Sequence, residues 1–237
     1  MSTMERYHNL IIIGTSHISR ESAEEIGKEF ISFAPEIVAI ELDKERLRAL
    51  FSGNRGKVSF RDIRRVGIKG FMFAVIGSWA SRKLGKIVGV EPGVEMKTAV
   101  ELCRKNKARL ELIDRPIEIT LRRFSASLSW KERYNLLHDI VSSVIFRKKD
   151  PLLDFDLRKV PGKSIIREMM GRMKKRYPNI YSVLIEERNY FMARKLKRLM
   201  AFNKDKNIIA VMGAGHEEDV LRILKENEGI ALQLAPQ

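Results

Sequence analysis

The chain has 237 residues, 44% of them hydrophobic, with 45 Lys/Arg against 30 Asp/Glu and a formal net charge of +15. That length accommodates one large domain with a sizeable core, expected here to span 1–237, and the single cysteine, Cys103, excludes a disulfide framework and fits a reducing compartment. No secretory leader is legible, and the nearly uncharged apolar stretch Gly70–Ala80 falls well short of the roughly 20 residues a spanning helix needs. A cytoplasmic protein, at most peripheral to a membrane, is expected.

In chain order, Leu10-Ile11-Ile12-Ile13 is a short β-branched run that reads as a buried strand, followed at once by Gly14-Thr15-Ser16-His17. The spacing of Ile26, Phe30 and Phe33 then predicts a helix. Val38-Ala39-Ile40-Glu41-Leu42-Asp43 follows the turn signal Ala34-Pro35 as another strand, and a charged helix is expected from about Lys44. Period-two alternation puts Glu41 and Asp43 on one face at the strand's end. The alternative is that Glu41 caps the helix that follows and Asp43 is a solvated acid at its N-terminus. Residues 55–86 carry nine Lys/Arg against one acid, with Phe71, Met72, Phe73 and Trp79 between the basic flanks. They read as an amphipathic helix suited to a homodimer interface or to anionic lipid.

Further strands are expected at Lys86–Val90, Arg109–Ile113 and Ala231–Leu234, and helices at 93–106, 116–127, 130–145 and 178–202. Cys103 falls in the helical row Met96, Val100, Cys103 and reads as core. Residues 147–176 hold eleven Lys/Arg against four acids and read as a loop followed by a short helix, Ser164–Arg176. They carry no recognised nucleic-acid-binding motif, so nucleic acid is not expected as a partner. Near the end, Ile208–Met212 is again a β-branched run, followed by Gly213-Ala214-Gly215-His216 and the helical spacing of Val220, Leu221 and Leu224.

The two strand–Gly-x-x-His–helix units are the most informative feature. Each places a histidine in the turn between the C-terminal end of a strand and a helix, the edge where open α/β sheets bind ligands. A helix N-terminus disfavours imidazolium, which leaves a neutral nitrogen for a metal or a proton. His17, His216 and Glu41 together are the donor set of a divalent ion with positions open for water, with Mn, Co or Zn as candidates. Arg115, directly after the strand at 109–113, and Arg188, on the long helix beside Glu187, are the candidates for holding a substrate carboxylate or stabilising an oxyanion. Asp43, Glu187, Gly14 and Gly213 are the supporting residues. The expected architecture is an α/β fold: a central mixed sheet bearing the two units, with a mainly helical cover at about 115–205.

These motifs resemble those of the TraB/PrgY proteins. The resemblance rests on Gly14–Ser22, Val38–Asp43, Glu91-Pro92-Gly93-Val94-Glu95-Met96, Leu112–Ile117, Glu187–Met192 and Val211–His216, in order from about residue 9 to 217. That family is grouped with the TIKI metallopeptidases, which use paired Gly-x-x-His motifs and a glutamate. The resemblance therefore implies a metal-dependent hydrolase, a peptidase acting on a peptide or protein, with Glu41 as ligand or as general base. Many relatives continue into membrane-spanning helices, whereas this sequence ends shortly after His216. The alternatives are a non-catalytic, peptide-binding regulator of the pheromone-shutdown kind and a basic adaptor at an anionic membrane surface.

Overall fold

The structure, a computed structural model, describes residues 3–15, 20–52, 93–146 and 163–233. Within them five strands form one mixed sheet: β1 (Thr3–Tyr7), β2 (Leu10–Thr15), β3 (Ile37–Ile40), β4 (Arg109–Leu112) and β5 (Ile208–Gly213). Their order is β1-β2-β5-β3-β4. β1 is antiparallel to β2, while β2, β5, β3 and β4 run parallel. The last strand in sequence is thus the central one, with Ile12 and Ala39 both opposite Ala210. Strands buried on both faces read as continuous apolar runs, which is why these three were legible.

Alternation along the strands separates two cores. Leu10, Ile12, Ile208, Ala210 and Met212 point to one face, where Met192 and Leu196 of α8 (Glu187–Phe202) and Val220 and Leu224 of α9 (Ala214–Gln233) cover them. Ile11, Ile13, Val38, Ile40, Ile209 and Val211 point to the other. There they meet Ile26 and Phe30 of α1 (Arg20–Phe33), Leu50 of α2 (Lys44–Phe51) and the Met96/Ala99/Val100/Cys103 row of α3 (Val94–Lys105). Cys103 is core, as its spacing predicts.

The mainly helical cover lies between β4 and β5: α4 (Ile117–Ser127), α5 (Trp130–Phe146), α6 (Lys163–Arg176), α7 (Pro178–Tyr181) and a π-helical turn, Ser182–Glu186, that leads directly into α8. A small apolar cluster around Phe124, Ile180 and Val183 binds α4 to this turn. Ser129 and Glu132 form a capping box at the start of α5, and Glu132 also accepts the Asn179 N–H at 2.7 Å, tying α5 to α7.

Two features depart from the sequence-based expectations. β1 was not anticipated; Thr3–Tyr7 alternates with many polar residues, and it pairs as an edge strand through a two-residue turn in which His8 has φ 53°. The strand expected at Ala231–Leu234 is instead the end of α9, which runs to Gln233. Four residues, three of them apolar, cannot by themselves distinguish a short strand from the last turn of a helix. The segments expected as an amphipathic helix at 60–86 and a strand at 86–90 lie outside the described residues, as does the basic loop at 147–162. Among the described residues no helix is long and apolar enough to cross a membrane.

Gly93 opens α3 with φ +80°, and a Cβ there would lie 3.2 Å from Leu50 Cδ1. Gly93→Ala is expected to lower stability by about 1–2 kcal/mol, chiefly from the left-handed backbone, measurable as a fall in the urea midpoint at unchanged m-value.

Candidate functional site

Three parallel strands deliver polar residues to the same edge. Glu41 follows β3, its N–H bonded to Val211 O of β5; Asp114 follows β4, one residue past Ile113, whose N–H bonds to Ile40 O; His216 stands in the first turn of α9, directly after β5. Arg188 reaches this edge from the cover. The π-helical turn just before it ends with the Glu187 N–H bonded to Ser182 O. Such turns carry an extra residue per helical turn and recur at functional sites because they redirect the side chains that follow.

Arg188 is the hub. Its Nη2 donates to Asp114 Oδ2 at 2.6 Å and also to Glu41 Oε1, its Nε donates to Asp114 at 3.1 Å, and its Nη1 donates to Leu184 O at 3.1 Å and to His216 Nε2 at 3.2 Å. Its side chain is only 14% exposed and that of Asp114 is 0% exposed. The Gly213 N–H holds the other oxygen of Glu41, Oε2, at 2.6 Å. Burial opposes the charge of Arg188, but Glu41 and Asp114 outweigh it and raise its pKa further. Burial likewise works to raise the Asp114 carboxyl, but Arg188 and then Arg46 overcome it and hold the group below the usual carboxylate range. Asp114 is therefore ionised at neutral pH and fixes the guanidinium in place.

The histidine has a defined tautomer. A guanidinium only donates, so His216 Nε2 accepts from Arg188. On the other side of the ring Nδ1 lies 2.6 Å from Asn189 Oδ1, while Asn189 Nδ2 donates to Asp219 Oδ2 at 3.3 Å. The proton is thus on Nδ1, and Nε2 faces Glu41 Oε1 at 3.3 Å. Two acceptors so close together repel each other unless a cation or proton accompanies them. Arg188 supplies that charge here.

Of the residues singled out from sequence, the structure brings Glu41, His216 and Arg188 into mutual contact, with the Gly213 backbone holding Glu41. Asp43 is the N-cap of α2, and it also accepts the Ile117 N–H and Arg46 Nε, so it joins α2 to α4 from behind the site. Arg115 is turned away from the strand edge. Its Nη1 bonds Glu187 at 2.6 Å, its Nε bonds Thr120 and its Nη2 bonds Val183 O, so it braces the cover and does not touch Glu41 or His216. Glu187 pairs with Arg115 and Arg123 and not with its neighbour Arg188. Burial works to raise the Glu187 carboxyl, but those two arginines hold it low. His17 lies outside the described residues; Gly14 is in β2, and the next residue, Thr15, is opposite Gly213, so the ends of the two strands lie side by side. His8 sits in the hairpin turn at the opposite end of β2, and His138 is exposed on α5, so both lie away from the site.

Asp114, Asn189 and Arg46 are site residues that the sequence reading did not select. Asp114 could have been found by the rule that found Glu41, an acid one step beyond a strand on the same sheet edge. Asn189 carried a weaker signal: asparagine is a poor interior helix residue, so one in the middle of a long helical pattern invites a functional reading.

Glu41 Oε1 and His216 Nε2 have the mutual spacing of two donors that each lie about 2 Å from one ion, so this pair fits a divalent metal. Among the described residues no group of three or more His, Cys, Asp or Glu side chains is arranged to hold one. A third donor must come from elsewhere, and His17 is the residue that the sequence offers. An open cleft of about 710 Å³ adjoins the cluster, sharing Asp114 with it and lined further by Asp43, Leu110, Leu112, Pro116 and Lys195.

A model of the TraB/PrgY/gumN family matches residues 4–230. The chain belongs to that family. It is similar to an uncharacterized protein of Methanocaldococcus jannaschii, 36% identical over 223 residues, which covers 93% of this chain and 54% of the relative. It is also similar to TraB domain-containing proteins of Bos taurus and Homo sapiens, 24% and 22% identical over 229 residues, covering 86% of this chain and 59% and 60% of those proteins. The chain thus spans little more than half the length of the curated relatives it matches.

Proposed function

We propose that this chain is a divalent-metal-dependent hydrolase, a peptidase, whose reaction takes place at the C-terminal edge of the sheet around His216, Glu41 and Arg188. The observation that carries the reading is the buried pair of facing acceptors, Glu41 Oε1 and His216 Nε2, 3.3 Å apart and attended by a cation. His216 and Glu41, with His17 as the third donor, would hold Mn, Co or Zn. When bound, such an ion supplies Lewis acidity toward a carbonyl and makes water a nucleophile at neutral pH.

The chain's own residues supply the rest. The Gly213 N–H fixes Glu41 through Oε2 and leaves Oε1 toward the reacting region, where Glu41 is also placed to take a proton from water. Arg188, held charged and oriented by Asp114, is the group suited to stabilise negative charge that develops on a substrate oxygen. Arg115, Glu187 and Asp43 keep the cover and α2 in place around it. The helical cover limits water at the strand edge, and the adjoining cleft, with apolar Leu110, Leu112 and Pro116 and a charged rim, offers room for an extended peptide.

One feature favours a second reading. Arg188 bonds both Glu41 and His216, an arrangement that also suits a non-catalytic cleft that captures and sequesters a peptide. Protein purified without chelators is expected to contain a transition metal by elemental analysis and to cleave members of a peptide library. His216→Ala and Glu41→Gln are expected to lower cleavage by at least about 100-fold with the circular dichroism spectrum unchanged. Folded, metal-replete protein that turns over no peptide but still binds one would replace the hydrolase with the sequestering regulator.

A further inference from the structure

Arg188 and Asn189 are consecutive residues of α8, and between them they contact both nitrogens of one imidazole. Arg188 Nη1 donates to His216 Nε2 at 3.2 Å, and Asn189 Oδ1 accepts from Nδ1 at 2.6 Å. Successive helical residues diverge by about 100°, so a planar ring must stand between the two side chains to meet both. The ring does so because His216 projects from the first turn of α9, which packs on α8 through Val220 and Leu224 against Met192 and Leu196. Asn189 is itself buried, and its amide has a definite orientation because Nδ2 donates to Asp219 Oδ2; reversed, the amide would set an oxygen against that carboxylate.

This arrangement works against the intrinsic preference of imidazole. A histidine side chain free in water favours the tautomer with its proton on Nε2, which turns the acceptor away from where this site needs it. An acceptor held at Nδ1 reverses that preference, and Asn189 Oδ1 is that acceptor. We infer that Asn189 is a positioning residue that locks His216 as the Nδ1–H tautomer and so directs the Nε2 lone pair toward Glu41 and whatever cation accompanies it. Asp219, one turn after His216 on α9, is the anchor that keeps the amide the right way round. A neutral amide suits this task better than a carboxylate, because it orients the ring without adding negative charge to an edge that already holds Glu41 and Asp114. The inference rests on the proposed function only for its catalytic meaning; the tautomer itself does not depend on it.

The test is made on the full chain with 15N-labelled histidine and without added metal. Long-range 1H–15N spectra at pH 8 distinguish the tautomers for each of the four histidines, and His216→Gln assigns the signal. The wild type is expected to show His216 protonated at Nδ1; Asn189→Leu, which leaves only Arg188 to oppose the intrinsic preference, is expected to show a mixture with Nε2–H; and the double variant Asn189→Asp/Asp219→Asn, which keeps the acceptor and its anchor, is expected to retain Nδ1–H. Zinc affinity, measured by competition with a chromophoric chelator, is expected to fall about 10–100-fold in Asn189→Leu and much less in Asn189→Asp/Asp219→Asn. An Nε2–H tautomer in the folded wild type, or an Nδ1–H population undiminished in Asn189→Leu, which would assign the lock to Arg188 alone, would overturn the inference. If the wild type shows the Nδ1–H tautomer and Asn189→Leu lowers its population, yet no variant or wild type binds zinc, the tautomer lock stands and the metal reading fails. Should Asn189→Leu not fold, Asp219→Ala gives the same reading at a partly exposed position, where a mixture of tautomers is expected.

Discussion

Arg188→Met is expected to destabilise the protein by about 3–5 kcal/mol, the cost typical of removing one partner from a buried ion-pair network. Methionine fills much of the space of the arginine stem, so the loss reports charge and hydrogen bonding more than packing. What remains is a Glu41 carboxylate facing an imidazole acceptor at 3.3 Å and a fully buried Asp114 with only Arg46 to balance it. Urea unfolding at pH 7 measures the loss. A change below about 1 kcal/mol would mean that the three acceptors tolerate one another without the guanidinium, and the account of the site would need another cation in its place. Activity, where present, is expected to disappear in the same variant.

Asp114→Asn is the complementary experiment, and its signature is in the pH dependence. The folded-state pKa of Asp114 lies below its ordinary value, because Arg188 and Arg46 more than offset the burial that works to raise it. A depressed carboxylate contributes stability that is fully present above its unfolded pKa of roughly 4 and is lost as pH falls through the lower folded value. The wild type is therefore expected to lose stability steadily on acidification below about pH 4. Asp114→Asn is expected to cost about 2–3 kcal/mol at pH 7 and to flatten that acid limb. Since Arg188 and Asp114 share hydrogen bonds, the double variant is expected to lose less than the two single losses added together. Equal acid limbs in wild type and Asp114→Asn would assign the acid sensitivity to other groups, among them Glu187, whose carboxyl is also held low.

Much of the fold was legible before any coordinates. Ile11–Ile13, Val38–Ile40 and Ile208–Val211 are runs of β-branched and aliphatic residues, and such runs become strands covered on both faces. The helix spacing of Ile26/Phe30 and Val220/Leu224 was equally clear, as was the location of a mainly helical stretch between β4 and β5. β1 was not legible, because an edge strand covered on one face needs fewer apolar residues, and its identity rests on pairing with β2. The end of α9 was misread for the opposite reason: a short apolar run has no period of its own.

For the site, the sequence alone determined which chemistry arrives at the sheet edge. A glutamate one residue beyond a strand and a histidine in the first turn of the next helix are positions set by local structure, so Glu41 and His216 could be named from spacing. Only the tertiary structure decided the rest. β5 comes last in the chain yet lies between β2 and β3, an order that no local signal records, and it is this insertion that carries His216 to Glu41. The same holds for the residues delivered by the cover. Arg115 and Arg188 looked alike as basic residues in matching motifs, but the π-helical turn and the packing of α8 direct Arg188 into the strand edge, while Arg115 remains among the helices with Glu187. Side-chain direction on an element is set by what packs against it, and that is a property of the assembled sheet and cover, which the order of residues along the chain does not contain.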